Sequence, residues 1–555
     1  MFKLVALIAA AVAAQGTQST QSAFARAQAA FASSDFRAAV PLFAQVVKED
    51  PANARAWNMY GISLRRTGAW REATAAHRKA AEFDVARPMA WYQLGLAFAA
   101  GQQLDSAFTW LMEAKRSGRV NMTNIGTDPL APALQPDPRY AALFPTAEEY
   151  ASPFVEPARI LQEWQGEAAG DQFGWIARNI GDVDSDGAAD VVTSAPTHGA
   201  AGTANTGKVY VYSSRSGRLL WSATGPAGGQ LGIGVEAAGD VNGDGVPDVI
   251  AGAPFANQAF VYSGLDGKVL LSLRGEAQGD GFGQRVSDVG DLNGDGRAEV
   301  LVGAPQHDGA GQNAGRVYVF SGMDGRTLLT LDGDSAGDTF GTSLGGRTRN
   351  GQSWIVVGAA AAGARNTGRV YVYRGLEGKP AYTIDADSAA AALGAMFVSV
   401  IGDIDGDGTL DAYGSDWAHS ARGASTGRIF VHSGRDGRRI LTLTGEQAGD
   451  GFGIGPADAG DVDRDGFDDL IIGAWQHATA APSGGRVYLY SGKTGALLRT
   501  WTGKVPGETF GFDATGIGDV NGDGHIDFLL TSAWSAIRGV RSGRMFILSG
   551  APAGS

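Results

Sequence analysis

The chain is predicted to fold as an all-β seven-bladed propeller preceded by an N-terminal all-α domain of helical repeats. Three observations predict it. An acidic, glycine-bearing phrase, first met as GDVDSDGAAD at 181–190, returns five times within residues 156–550. An unrelated phrase repeats at a 34-residue offset within residues 20–120. The last β copy stops short at 543–550, and the strand it lacks is found ahead of the first copy, within 158–174.

A length of 555 residues is enough for more than one buried core. The 83 glycines show no every-third-residue period, which excludes collagen; they punctuate short apolar runs, as in a turn-rich β fold. A net charge of −13, with no basic stripe, argues against nucleic acid as a partner. There is no cysteine, so disulfides cannot brace the many short strands.

The N-terminus reads MFKLVALIAAAVAAQG. Lys3 followed by the apolar run Leu4–Ala14 has the form of a secretory signal peptide over residues 1–14, cut near Ala13 or Ala14. A buried helix start is the alternative. The run is too short to span a membrane, and no other segment qualifies as a transmembrane span. The expectation is an exported protein: periplasmic, cell-surface or secreted.

In residues 20–120, AWNMYGISLRRTGAWREATAAHRKAAEFD aligns with AWYQLGLAFAAGQQLDSAFTWLMEAKRSG. Trp57 matches Trp91, Gly61 matches Gly95 and Ala73 matches Ala107; one period back lie Ala23, Ala27 and Ala39. A small residue four positions after the tryptophan lets paired helices approach closely. This stretch resembles the tetratricopeptide (TPR) repeat family, and the resemblance implies a groove for a peptide or protein. A spacer or folding cap is the alternative role. His77 matches Phe43 and Leu111 in the other repeats, so packing rather than chemistry is expected of it. Residues 121–155 read as a capping helix and a Pro-rich linker.

From 156 to 550 the acidic loops begin at Asp182, Asp240, Asp291, Asp403, Asp461 and Asp519, spaced by 58, 51, 112, 58 and 58 residues. The gap of 112 holds a degenerate copy around LGGRTRNGQSWIVVGAA (344–360), making seven units. Each unit carries a short run into the loop, a buried strand such as EVLVGAP, an alternating strand such as GRVYVFSG, a turn, and an outer strand such as TLLTLDG. Four short strands per copy suit a propeller blade. A right-handed β-helix is the runner-up, but it predicts no complementary ends.

Phe-Gly pairs open the units at Phe173–Gly174, Phe282–Gly283, Phe340–Gly341, Phe452–Gly453 and Phe510–Gly511, with Leu231–Gly232 and Leu393–Gly394 as variants. Gly-Ala-Pro follows at Gly252–Ala253–Pro254 and Gly303–Ala304–Pro305. These motifs resemble the FG-GAP repeats of the integrin alpha-chain N-terminal propeller. The resemblance implies a propeller whose acidic loops bind calcium. No inserted adhesion domain interrupts the blades and no leg domains follow, so a receptor-type adhesion role is not expected.

The loops place an acid at position one, acid or Asn at three, acid at five, glycine at six and acid at nine. Oxygens from one, three and five can converge, the glycine permits the sharp turn, the seventh carbonyl can add a ligand and the ninth side chain can close the far side. An all-oxygen donor set points to a hard cation, and calcium suits an all-protein loop better than magnesium. The metal-site residues are Asp182, Asp184, Asp186, Asp190; Asp240, Asn242, Asp244, Asp248; Asp291, Asn293, Asp295, Glu299; Asp403, Asp405, Asp407, Asp411; Asp461, Asp463, Asp465, Asp469; and Asp519, Asn521, Asp523, Asp527. About six Ca2+ per chain would bring twelve positive charges against the net −13. Simple hairpin turns are the alternative, but they leave the convergent acids unexplained. The fourth copy, RTRNGQSW, should be a plain turn.

No catalytic residue or other cofactor site is predicted, and no nucleophile elbow or phosphate loop occurs. His198, His307, His419 and His477 follow the same strand in four copies and would gather on one face, as loop positions or as a binding rim. The reading is an exported calcium-binding module for a protein or glycan ligand, binding or scaffolding through the propeller and the helical groove. The alternative is a hydrolase or lyase with its site on the propeller face.

Overall fold

The structure, a computed structural model, describes residues 23–200 and 202–552. The expected signal peptide, residues 1–14, lies outside the described residues. The chain divides after Ala151 into two compact units.

In the first unit, six helices form three antiparallel pairs: α1 (Ala23–Ala32) with α2 (Phe36–Glu49), α3 (Ala54–Arg66) with α4 (Trp70–Ala81), and α5 (Arg87–Ala100) with α6 (Leu104–Arg116). Asp35 and Asn53 cap α2 and α3 by accepting from the Ala38 and Ala56 amides. The repeated glycines mark the closest approaches. A Cβ on Gly61 would lie 2.4 Å from the His77 ring, and one on Gly95 would lie 2.6 Å from Leu111 Cγ. Two short helices, α7 (Ala131–Leu134) and α8 (Ala147–Ala151), complete the unit. No described helix is long and apolar enough to cross a membrane.

His77 is fully buried, with Nδ1 3.0 Å from Asn58 Oδ1. Burial, and then the charge of Arg65, push its pKa down to about 3.

Among the described residues the second unit contains twenty-eight strands, β1 to β28, in seven four-stranded antiparallel sheets. Six blades use four consecutive strands each, as in blade three: β10 (Arg285–Gly290), β11 (Glu299–Ala304), β12 (Arg316–Phe320) and β13 (Thr327–Asp332). The second strand is buried along its whole length in each blade bearing an acidic loop. On β12 the alternation feeds two interfaces: Val317 and Val319 pack with Ile355 and Val357 of blade four, and Tyr318 and Phe320 with Ile250 and Val261 of blade two.

The Phe-Gly and Gly-Ala-Pro signatures are interblade contacts. Phe282, Phe340, Phe452 and Phe510 are buried, the first three edge-on to Tyr318, Tyr371 and Tyr488 of their own blades, while Phe282 and Phe340 also join clusters with Val261 and Val319 of the preceding blade. A Cβ on Gly252 would lie 1.8 Å from the Gly283 carbonyl of the next blade, and one on Gly473 would lie 1.9 Å from that of Gly511. Glycine is therefore the residue that lets neighbouring blades meet at this point.

Blade seven is composite. β26 (Ala514–Gly518), β27 (Asp527–Ser532) and β28 (Arg544–Leu548) are completed by β1 (Ile160–Gln165), which pairs with β28 from Ile160↔Leu548 to Gln165↔Arg544. The strand predicted from within 158–174 is this one. In blade four, β14 (Phe340–Arg349) and β15 (Gln352–Ala359) join through Asn350 and Gly351, both at positive φ, the two-residue hairpin turn expected of RTRNGQSW.

Two outcomes follow. Trp164 of β1 donates its Nε1–H to the Gly217 carbonyl of blade one and packs on Tyr212, so Trp164→Ala should destabilise the propeller by about 3 kcal/mol in a denaturant titration. Because unfolded His77 titrates at its ordinary 6.5, protons favour the unfolded state between about 3 and 6.5, and helical stability should fall as pH drops through that window. His77→Leu, which copies the Gly95–Leu111 contact of the next repeat, should flatten this dependence in far-UV melts.

Candidate metal centre

Each acidic loop connects the first and second strands of its blade, and the chain folds around its own carboxylates. The position-one acid accepts from the amide of the position-six glycine: Gly187 to Asp182 Oδ2 at 2.9 Å, Gly245 to Asp240 at 2.9 Å, Gly296 to Asp291 at 2.9 Å, Gly408 to Asp403 at 2.7 Å, Gly466 to Asp461 at 3.0 Å and Gly524 to Asp519 at 2.7 Å. The position-three side chain accepts from the position-five amide where it is Asn242, Asn293 or Asn521, and likewise where it is Asp405 or Asp463.

The position-nine acid has a role that residue spacing did not reveal. It is buried in every loop. Asp190 Oδ2 accepts from the amides of Val183 and Asp184 at 2.9 and 3.3 Å, and Oδ1 accepts from Ser214, in the turn between the third and fourth strands, at 3.1 Å. Asp248, Asp411, Asp469 and Asp527 reach Gly264, Gly434, Gly492 and Gly550 in the same way. Glu299 accepts from Leu292 at 2.7 Å. These carboxylates staple the loop to the outer half of the blade. Burial raises Asp190, Asp248, Asp469 and Asp527 to about 6 and Asp411 to about 7, with nearby loop acids adding to the shift.

Among the described residues, three loops gather carboxylate oxygens within 4.8 Å of one another: Asp182/Asp184/Asp190, Asp403/Asp405/Asp411 and Asp461/Asp463/Asp465. These are the three loops with Asp at position three. In the Asp182 loop, Asp184 Oδ1 is buried without a hydrogen-bond partner, as a ligand oxygen would be. The all-oxygen donors therefore fit a hard divalent cation. The three loops with Asn at position three form no such close acid trio. There the amide nitrogen donates instead: Asn242 to Asp244, Asn521 to Asp523 and Asn293 to Glu299, each at 2.9 Å. Serines at the end of the third strand reach position five, with Ser213 Oγ 3.3 Å from Asp186 Oδ2 and Ser433 Oγ 3.0 Å from Asp407 Oδ2. In blade five, Arg438 also lies 2.7 Å from Asp405 Oδ2, so a cation there shares that carboxylate with a guanidinium.

The four post-strand histidines are buried and each faces an acid: His198 with Asp171 at 3.2 Å, His307 with Glu276 at 3.2 Å, His419 with Asp387 at 2.8 Å and His477 with Asp450 at 3.1 Å. Their carbonyls accept from Gly207, Gly315, Gly427 and Gly485. They brace loops rather than line a rim.

Fold and loops together define a seven-bladed propeller of FG-GAP repeats with a TPR-like helical region before it. The FG-GAP repeat profile matches residues 173–212, 235–271, 285–320 and 457–490, and a tetratricopeptide repeat profile matches 24–88. The chain is similar to integrin alpha-5 of Xenopus laevis (32% identity over 223 residues, 36% of this chain and 21% of the relative). It is also similar to the phosphatidylinositol-glycan-specific phospholipase D of Homo sapiens (27% over 408 residues, 60% and 47%) and to integrin alpha-4 of Xenopus laevis (28% over 247 residues, 41% and 23%). The matched part of the chain spans less than half the length of each of these relatives.

Ligand charge tunes the affinity of oxygen sites. If all six loops take a divalent cation, the Asn242, Asn293 and Asn521 loops should bind it more weakly than the Asp184, Asp405 and Asp463 loops, read as a tight and a weak step in a calcium titration. Asp184→Asn should move one ion from the tight step to the weak one.

Proposed function

We propose that this protein is an exported, calcium-stabilised binding module that presents a propeller surface, and a TPR-like groove, to a protein or glycan ligand. The carrying observation is the recurrence of one loop geometry: clustered carboxylate oxygens, one of them buried and unpartnered in the Asp182 loop, between the first two strands of a blade. About six Ca2+ would be held by the residues at positions one, three, five and nine of the loops that start at Asp182, Asp240, Asp291, Asp403, Asp461 and Asp519. When bound, the ion supplies positive charge to acids that otherwise repel one another, and so couples blade stability to free calcium.

The similarity to integrin alpha chains supports a binding rather than a catalytic surface. The similarity to a phospholipase D over 408 residues keeps a hydrolase or lyase site on the propeller face as the second reading. Turnover that survives neutral substitution of the acidic loops would favour that reading. Saturable binding without turnover favours the first.

The test is metal content of the purified protein with melting before and after chelation. Each site held at about 100 times its Kd adds about 2.7 kcal/mol, so chelation should lower the melting temperature by at least about 10 °C. Fewer than about three ions per chain with an unchanged melt would overturn the calcium reading.

A further inference from the structure

The first strands of the blades enclose a central cavity of about 540 Å³, within the usual range for a small-ligand pocket. Its wall carries Arg178, Glu236, Arg285, Asp288, Arg347 and Asp458. A lining that only balanced its own charges would pair all of them, because an unpaired charge in a low-dielectric channel is costly. Four are paired. Arg178 donates to Glu236 at 2.7 Å and also bonds Asp513, and Arg347 donates to Asp458 at 2.6 Å.

Two are left over, both on β10. The one hydrogen bond of the Arg285 guanidinium among the described residues goes to the carbonyl of its neighbour Gln284, at 3.0 Å. Asp288 has no salt bridge or side-chain partner among the described residues. Burial, with the charge of Arg178 and against the opposite pull of Asp513, draws Arg285 down to about 10; burial, with Glu236 and against Arg347, draws Asp288 up to about 7. A guanidinium offers five donors in a fork that matches a carboxylate.

The surroundings narrow the ligand. Glu236, Asp288 and Asp458 would repel a dianion such as phosphate, whereas a single carboxylate balances Arg285. Acidic and hydroxyl side chains are acceptors for sugar hydroxyls, and Ser287, Ser399 and Thr515 line the same cavity. Phe397 holds the register position of Arg285, five residues before the glycine that precedes its loop, and offers an apolar surface to a ring face. We propose that the central channel binds a small carboxylate-bearing sugar of the hexuronic acid class, with Arg285 taking the carboxylate and Asp288 accepting from ring hydroxyls. This goes beyond the surface role, since the ring could dock a macromolecule with its channel unused.

The test is calorimetric titration of the full calcium-loaded chain with D-galacturonate, D-galactose and L-glutamate. Galacturonate should bind at least about ten-fold more tightly than galactose, which lacks the carboxylate, and more tightly than glutamate. Arg285→Gln should abolish that preference and Asp288→Asn should weaken galacturonate binding, each checked for an unchanged melt. The wild-type ligand comparison stands even if a variant fails to fold. Absence of galacturonate binding at about 10 mM, equal binding of galactose, or binding that survives Arg285→Gln would each overturn the proposal. Tighter binding of glutamate would overturn it in favour of a zwitterion site.

Discussion

The pairing of β1 with β28 is the contact on which the propeller depends. Seven sheets packed face to face around an axis leave no exposed interblade surface only when the last sheet meets the first. Here β28 would present a free edge in blade seven, and the chain supplies β1 from before blade one to cover it. Trp164 of β1 then bonds and packs into blade one, so the strand that completes one sheet also seals the interface with the next. Closure of this kind removes an edge that would otherwise template association. It also joins residues some 380 positions apart, as in the pair of Glu163 with Arg544, 2.9 Å between Oε2 and Nη2.

Within that ring each blade bearing an acidic loop is held by two devices besides the packing of its strand faces. Near the loops, the buried position-nine acid ties the first connection to the last. At the other end of the first and second strands, the Phe-Gly and Gly-Ala-Pro signatures bring adjacent blades into backbone contact. Departures from the pattern are compensated locally. Where blade five has Ala391 instead of the acid found two residues before most Phe-Gly pairs, Asp416 on the second strand accepts from the Ala391 and Ala392 amides. Where blade four lacks an acidic loop, Arg347 of its hairpin crosses to Asp458 of blade six. A fixed cationic side chain in the degenerate blade thus bonds an acid just ahead of the acidic loop of blade six.

The position-nine acids show why site roles were less legible than site positions. Spacing identified them, and their clustering with positions one and three in two loops agrees with a shared centre. Their hydrogen bonds to Ser214, Gly264, Gly434, Gly492 and Gly550 depend on a turn 16 to 24 residues away and could not be read from the phrase itself. The aligned histidines teach the converse. Their common position in four copies is compatible with a rim, but each is turned inward to an acid 27 to 32 residues earlier and bonds a glycine through its carbonyl. Repetition along the chain preserved a structural brace, not an array of functional groups.

By itself the sequence determined the number of blades, the strand plan within each, the missing edge and its replacement, the helical repeat with its close-packed glycines, and the positions of the acidic loops. All of these are local patterns repeated in register, and repetition makes a weak signal readable. The tertiary structure alone decided which carboxylates lie within reach of one another, that Asn at position three turns its amide toward a neighbouring acid, and that Arg178, Glu236, Arg285, Asp288, Arg347 and Asp458 share one channel. Those residues are 3 to 280 positions apart. Their charges meet because the ring brings the first strand of every blade to a common axis, and no pattern within a single blade records which partner stands opposite.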